Sequence, residues 1–222
     1  MFFYKMKFAT IIVTRSKSCH VKTLHTILRM NIACIHNGHH NEISFVNDDP
    51  FAKAKAIERL LTTFDRILYI DFGISIDEVS INEMFKMGDD VGCLVFPGVK
   101  EGIDWKMFKE KVKTGVDEPV NQMGLDFDTT VDQKISDDHY TVKNTSARAW
   151  VINCKLVSDA LKASTVDKKF GINLIPPRMD MMFFKFKEFG INIVAYTAAK
   201  LIMTYGHECI SNIVNSAGVK ST

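Results

Sequence analysis

Residues 49–71 read DPFAKAKAIERLLTTFDRILYID and carry two periodicities back to back. Asp49 followed by Pro50 is an N-cap with proline in the first helical position. Ile57, Leu60, Leu61 and Phe64 then recur at i, i+3, i+4 and i+7, so this part predicts an amphipathic helix. Ile67 to Ile70 are four consecutive apolar residues, the pattern of a strand covered on both faces. The strand ends on Asp71, and the run ILYIDFGISID reaches a second aspartate, Asp77, six positions later.

Working outward, Phe8 to Val13 predicts a first strand and Thr14 to Ser18 a polar loop, with a helix through Val21, Leu24, Ile27 and Leu28. Ile32 to Ile35 predicts a second strand, the polar HNGHHNE a turn, and Ile43 to Val46 a third strand. Beyond Asp77, the expected elements are a helix over Val79 to Met87, a strand from Gly92 to Phe96 and a helix capped by Asp104. Residues 114–146 are polar and weakly periodic, and predict one long connection. Trp150 to Asn153 reads as a strand and Leu156 to Leu161 as a helix. Asp180 caps a helix through Met182, Phe183 and Phe186, and Ile191 to Tyr196 is a final strand. Strands alternating with helices predict an α/β fold in one domain, built on an open, mostly parallel sheet.

Composition narrows the function classes. With 222 residues, 46% of them apolar, the chain has enough material for one sizeable core. A net charge of +2, from 28 basic and 26 acidic residues, is too balanced for a nucleic-acid footprint. The five cysteines lie far apart without a C-x-x-C pair, which reads as free thiols in a reducing compartment. Lys5 and Lys7 interrupt the apolar start, and no apolar run approaches the ~20 residues a bilayer requires, so a soluble, cytoplasmic chain without membrane insertion is expected.

Ligands of open α/β sheets bind outside the carboxyl ends of the strands, which is where Asp71 falls. A carboxylate there suits a divalent cation held against a diphosphate; capping the Phe72-Gly73 turn explains it equally well. Neither G-x-x-x-x-G-K-[ST] nor G-x-G-x-x-G is present, which argues against P-loop kinases and dinucleotide oxidoreductases. Asp126-Phe127-Asp128 is a literal D-x-D but lies in the polar connection, and reads as loop carboxylates. His36, His39, His40 and Glu42 have metal-ligand chemistry, although a solvated turn around Asn37-Gly38 accounts for them.

These residues resemble a family. The polar loop after the first strand, and the helix AKAIERLLTTF running into ILYID, look like the nucleotide-sugar half of GT-A glycosyltransferases. TSARAWVINCKLVSDAL resembles the segment ending in an Asn-Cys pair in retaining members, and TYGHEC resembles their carboxyl-terminal metal motif. The closest likeness is to small glycosyltransferase domains encoded by large algal DNA viruses. The resemblance implies a single GT-A-like, Rossmann-like α/β domain whose central sheet, mixed but mostly parallel, is flanked by helices, with a nucleotide-binding half over 1–100 and an acceptor half over 101–222 that carries the C-terminal metal-site segment. It further implies a UDP-sugar donor, a glycan or glycoprotein acceptor, and Mn²⁺ or Mg²⁺. It places Asp71 and His207 at the metal, with Asp77 reaching back because Gly73 stands where the second aspartate is usual. Thr14, Arg15 and Ser16, together with Asp71, Phe72 and Gly73, would hold the nucleotide. Asp180 would be the carboxylate under a donor sugar transferred with retention, the electrostatic logic of glycoside hydrolysis. Glu101, Asp104 and Trp105 would meet the acceptor, and a viral origin would place the chain in host cytoplasm. A non-catalytic nucleotide-sugar or glycan binding module and a nucleotidyltransferase remain as alternatives.

Overall fold

The computed structural model describes residues 5–100, 102–163 and 175–204. Lys7–Thr14 form β1, Val21–His36 α1, His40–Asn47 β2, Pro50–Leu61 α2 and Arg66–Ile70 β3. Ile74–Ile76 form β4, Glu78–Lys86 α3, Cys93–Val95 β5 and Trp105–Thr114 α4. Thr129–Lys134 and His139–Thr145 are β6 and β7, Ala149–Asn153 is β8, Cys154–Ala163 α5 and Met179–Glu188 α6. Ile193–Tyr196 (β9) and Leu201–Met203 (β10) complete the described elements.

Eight strands make one sheet in the order β2-β1-β3-β8-β5-β9-β7-β6, and β10 pairs with β4 in a small ribbon. β8 is antiparallel to both β3 and β5, and β7 is antiparallel to β9 and β6. The pairings of β1 with β2 and β3, and of β5 with β9, are parallel, so six of the eight strands point one way. The expected mixed, mostly parallel sheet within one α/β domain is therefore present.

Side-chain alternation assigns the two faces, since successive residues of a strand point to opposite sides. Ala9, Ile11 and Val13 of β1, with Ile67 and Tyr69 of β3, pack under α2, α5 and α6. Phe8 and Ile12, with Leu68 and Ile70, pack against α1, α3 and β4. Trp150 in the antiparallel β8 is fully buried, and its ring stacks on Tyr69 with centroids 4.7 Å apart and planes within 4°.

Three local expectations are corrected. Ile32 to Ile35 is the last turn of α1, not a strand: Ile27, Met30 and Cys34 face the core at helical spacing while Ile32 and Ile35 point outward. Helical periodicity there outweighs the β-branched composition, and the helix stops at Asn37, followed by Gly38 at φ +69°. Residues 114–146 are not one structureless connection, because β6 and β7 form a hairpin at the sheet edge. Its outer strand is polar and almost wholly exposed, which discourages further strand pairing and hides the element from an apolar pattern search. Arg178, not Asp180, is the N-cap of α6, and Asp180 lies in the first turn, where a carboxylate favours the helix dipole.

Candidate functional site

The carboxyl ends of β1, β2 and β3 and the entry of the antiparallel β8 meet at one edge of the sheet. At that edge Asp71 leaves β3 and is held from both sides. Its Oδ1 accepts the N–H of Phe72 at 2.9 Å, and its Oδ2 accepts Nε of Arg148 at 2.9 Å. Nη2 of Arg148 also donates to the Phe72 carbonyl at 3.0 Å, and the Asp71 N–H donates to the Arg148 carbonyl at 2.9 Å. Both side chains of this ion pair are less than one-fifth exposed. The strand exit and the β8 entry are thus clamped by side chain and backbone together.

Gly73 closes the turn at φ +75°, a conformation that costs an L-residue roughly 1–2 kcal/mol. A Cβ there would lie 3.1 Å from the Thr204 carbonyl oxygen, and Thr204 is tied to Gly73 by a 3.0 Å N–H to O bond. Position 73 is glycine because the turn and the close approach of Thr204 both demand it. The same constraints disfavour a second aspartate.

The loop after β1 is equally tight. Arg15 and Ser18 exchange backbone hydrogen bonds, and Ser16 and Lys17 between them sit at φ 50° and 60°. Two central residues at positive φ make a type I′ turn, here without glycine. Thr14 donates from Oγ1 to the Val46 carbonyl, and the Arg15 guanidinium lies 4.8 Å over the Phe72 ring. Arg15 Nε also meets Asp48 Oδ2 at 2.8 Å, and Lys53 Nζ meets its Oδ1 at 2.7 Å. Burial alone pushes the Asp48 carboxyl up, but the hydrogen bonds and charges of Lys53 and Arg15 outweigh it and hold it below its ordinary value.

Asp128, from the rival D-x-D, comes to the same place. Its Oδ1 accepts the Gly98 N–H at 3.1 Å and the Thr129 hydroxyl at 2.8 Å. Its Oδ2 is buried without a hydrogen-bond partner among the described residues. Burial raises the Asp128 carboxyl above its usual range despite those donors and the Arg148 charge. Tyr69 adds a second orphan, a buried hydroxyl with no partner among the described residues, subject to the charges of Asp71, Asp48 and Arg148. An apolar cleft of about 570 Å³ opens beside Gly98, walled by Phe127, Leu201 and Met203.

Of the residues singled out in the sequence, the edge gathers Thr14, Arg15, Ser16, Asp71, Phe72 and Gly73. Asp77 is separated from Asp71 by β4, and its Oδ1 is engaged by the Ser80 hydroxyl and the Lys200 N–H. His207 and Glu101 lie outside the described residues. Asp104 caps α4 through Met107, and Trp105 packs edge-on to Phe108, as a cap and an aromatic contact require. Asp180 pairs with Arg178 and lines a different groove with Thr145, Phe184 and Lys187, so the structure does not bring it to Asp71. His39 packs between Phe8 and Phe85, a structural role for part of the histidine cluster. Cys34, Cys93 and Cys154 are buried free thiols, pushed by burial to about 12 for Cys34 and Cys154.

Sequence reasoning missed Arg148, Asp48, Lys53 and Tyr69. Arg148 stands immediately before the doubly buried run AWVIN, a charged residue at a strand entry. Only the antiparallel insertion of β8 turns that entry towards the edge where β3 ends.

The described residues fit a divalent cation poorly. No three His, Cys, Asp or Glu side chains among them converge, and Asp71 faces a guanidinium. A cavity of about 610 Å³ lies at the opposite edge, lined by Asp65, Arg66, Asn153 and Lys155. It lies at the amino end of β3, away from the helix N-termini that follow β1 and β2. No helix among the described residues is long and apolar enough to cross a membrane.

No family model matches the chain, and no curated protein matches it. Among solved structures it is similar to a Drosophila beta-1,4-galactosyltransferase 7 mutant in complex with manganese, UDP-Gal and xylobiose. That match has 11% identity and a TM-score of 0.48, covering 95% of this chain and 79% of that one. It is similar to an inositol-1-phosphate CTP transferase from T. maritima at 8% identity and TM-score 0.48, over all of both chains. A glycosyltransferase involved in glycosylation of the major capsid of PBCV-1 matches at 9% identity and TM-score 0.39, over 95% of this chain and 99% of that one.

Proposed function

We propose that this chain is a glycosyltransferase that moves a sugar from a UDP-sugar donor to a glycan acceptor. The observation that carries the reading is Asp71 at the exit of β3, clamped to Arg148, with Arg15 stacked over the adjoining Phe72. The edge presents fixed cations, partly buried carboxylates and two buried polar atoms without partners among the described residues, a combination that supports a ligand site there. The N-termini of α1 and α2 follow β1 and β2 at this edge, where helix ends favour phosphate oxygens.

In the proposed reaction the bond from the sugar anomeric carbon to the diphosphate oxygen breaks, and its electron pair leaves with the nucleotide. An acceptor hydroxyl oxygen forms the new bond to that carbon, and its proton passes to the leaving diphosphate oxygen. Arg15 and Lys53 would hold the nucleotide, and Arg148 would face the leaving diphosphate as it gathers charge. The cleft beside Gly98 would take the acceptor, whose apolar sugar faces suit Phe127 and Leu201. Retention, pentosyl or hexosyl transfer, and a role in viral capsid glycans belong to this proposal through the family resemblance alone.

Thermal unfolding with UDP, GDP and a panel of their sugars, together with nucleotide release, tests the reading. Ligand-specific stabilisation and release of UDP from one donor are expected. No stabilisation by any of these nucleotides would overturn it. A binding module without turnover is the second reading, favoured by glycine in place of the second aspartate. It predicts stabilisation by a donor but no release with any acceptor.

A further inference from the structure

We infer that Arg148, in place of a bound divalent cation, supplies the positive charge that faces the diphosphate at this edge. The inference rests on the nucleotide-sugar reading and deepens it. Three features point the same way.

The first is position. Arg148 is fixed by an ion pair to Asp71 and a bond to the Phe72 carbonyl, at the strand exit where a cation would have to sit. The second is the ligand set. Position 73 supplies no side-chain oxygen, and its backbone conformation and contact with Thr204 explain why. Asp77 lies beyond β4 with Oδ1 committed to Ser80 and Lys200, so it does not reach back.

The third is charge balance. A divalent cation between two aspartates is neutral overall, and so is one guanidinium against one aspartate. Burial raises the pKa of Asp128, which lies beneath the edge with its Oδ1 held by the Gly98 N–H and the Thr129 hydroxyl. Arg15 and Lys53 around Asp48 then leave one positive charge beside the pair. The edge meets a diphosphate with the charge a metal site would offer, built from side chains. A guanidinium also presents planar, directional donors suited to phosphate oxygens, and stabilises the charge that builds there as the glycosidic bond breaks.

Calorimetry of UDP and of uridine tests this in EDTA and in Mn²⁺, on the wild type, Arg148→Ala and Arg148→Lys. The expected results are UDP affinity in EDTA within threefold of that in Mn²⁺, a loss of tenfold or more in Arg148→Ala, and partial recovery in Arg148→Lys. Uridine, which lacks the diphosphate, should bind Arg148→Ala as it binds the wild type. That comparison separates loss of charge from loss of folding. Tenfold weaker UDP binding in EDTA, or equal weakening of UDP and uridine by Arg148→Ala, would overturn the inference. Stoichiometric Mn²⁺ binding to the nucleotide-free protein, abolished in Asp71→Asn, would overturn it too. If the wild type binds neither UDP nor uridine in either condition, the nucleotide-sugar reading itself falls, and this inference with it.

Discussion

Replacing Gly73 with alanine separates backbone strain from close contact, because Gly38 provides a control. Both glycines sit at positive φ, +75° and +69°, but a Cβ at Gly38 meets nothing within 4 Å whereas one at Gly73 meets the Thr204 carbonyl oxygen at 3.1 Å. The left-handed conformation costs alanine roughly 1–2 kcal/mol. The stiffer unfolded chain returns about 0.4–1 kcal/mol of that. Near the middle of those ranges, Gly38→Ala should lose about 0.5–1 kcal/mol. Gly73→Ala must also push Thr204 back by a few tenths of an ångström and stretch its 3.0 Å bond to the Gly73 carbonyl. A net hydrogen bond is worth about 0.5–1.5 kcal/mol, so the total becomes about 1–2.5 kcal/mol. At about 2–4 °C per kcal/mol for a chain of this size, Gly73→Ala should unfold about 2–10 °C below the wild type, and Gly38→Ala by no more than about 4 °C. Circular dichroism melts of the three proteins make the comparison. Equal losses in the two variants, or none at Gly73, would refute the claim that Thr204 packs against the turn.

Asp128→Asn should remove a pH dependence of stability. The folded carboxyl has a raised pKa, so it contributes stability below its unfolded value that is lost as pH rises through the folded one. Urea titrations across that window should show the wild type declining relative to the variant, and parallel curves would contradict the assignment. Asp48 has the opposite sign: its folded pKa is lowered, so its contribution is present above the unfolded value and lost as pH falls through the folded one. Melts of Asp48→Asn in acid should lack that part of the wild-type decline. Trp150→Ala removes a fully buried ring from its stack on Tyr69 and should cost about 3–5 kcal/mol by denaturant titration, a loss under 1 kcal/mol arguing against that core.

What the sequence made legible follows periodicity. The α2–β3 unit was readable because Ile57, Leu60 and Leu61 bury at helical spacing and Ile67 to Ile70 bury on both faces. The β6–β7 hairpin was not, since its outer strand has a polar exposed surface and only its pairing partner shows it to be a strand. Asp71 was legible as a carboxylate leaving a buried strand. Its partner was not, because 77 positions separate it from Arg148, and only the antiparallel insertion of β8 brings them together. Asp128 was set aside for its polar surroundings, yet its bond to the Gly98 N–H folds the loop back beneath the edge and buries it. Long-range pairing, not local pattern, assembles this site.

The most direct test of the account is a crystal structure with a bound UDP-sugar. The account predicts the diphosphate at the carboxyl edge, against Arg148 and Arg15, with Asp71 beside it. Density for the nucleotide in the cavity at the opposite edge, against Arg66 and Lys155, would contradict it.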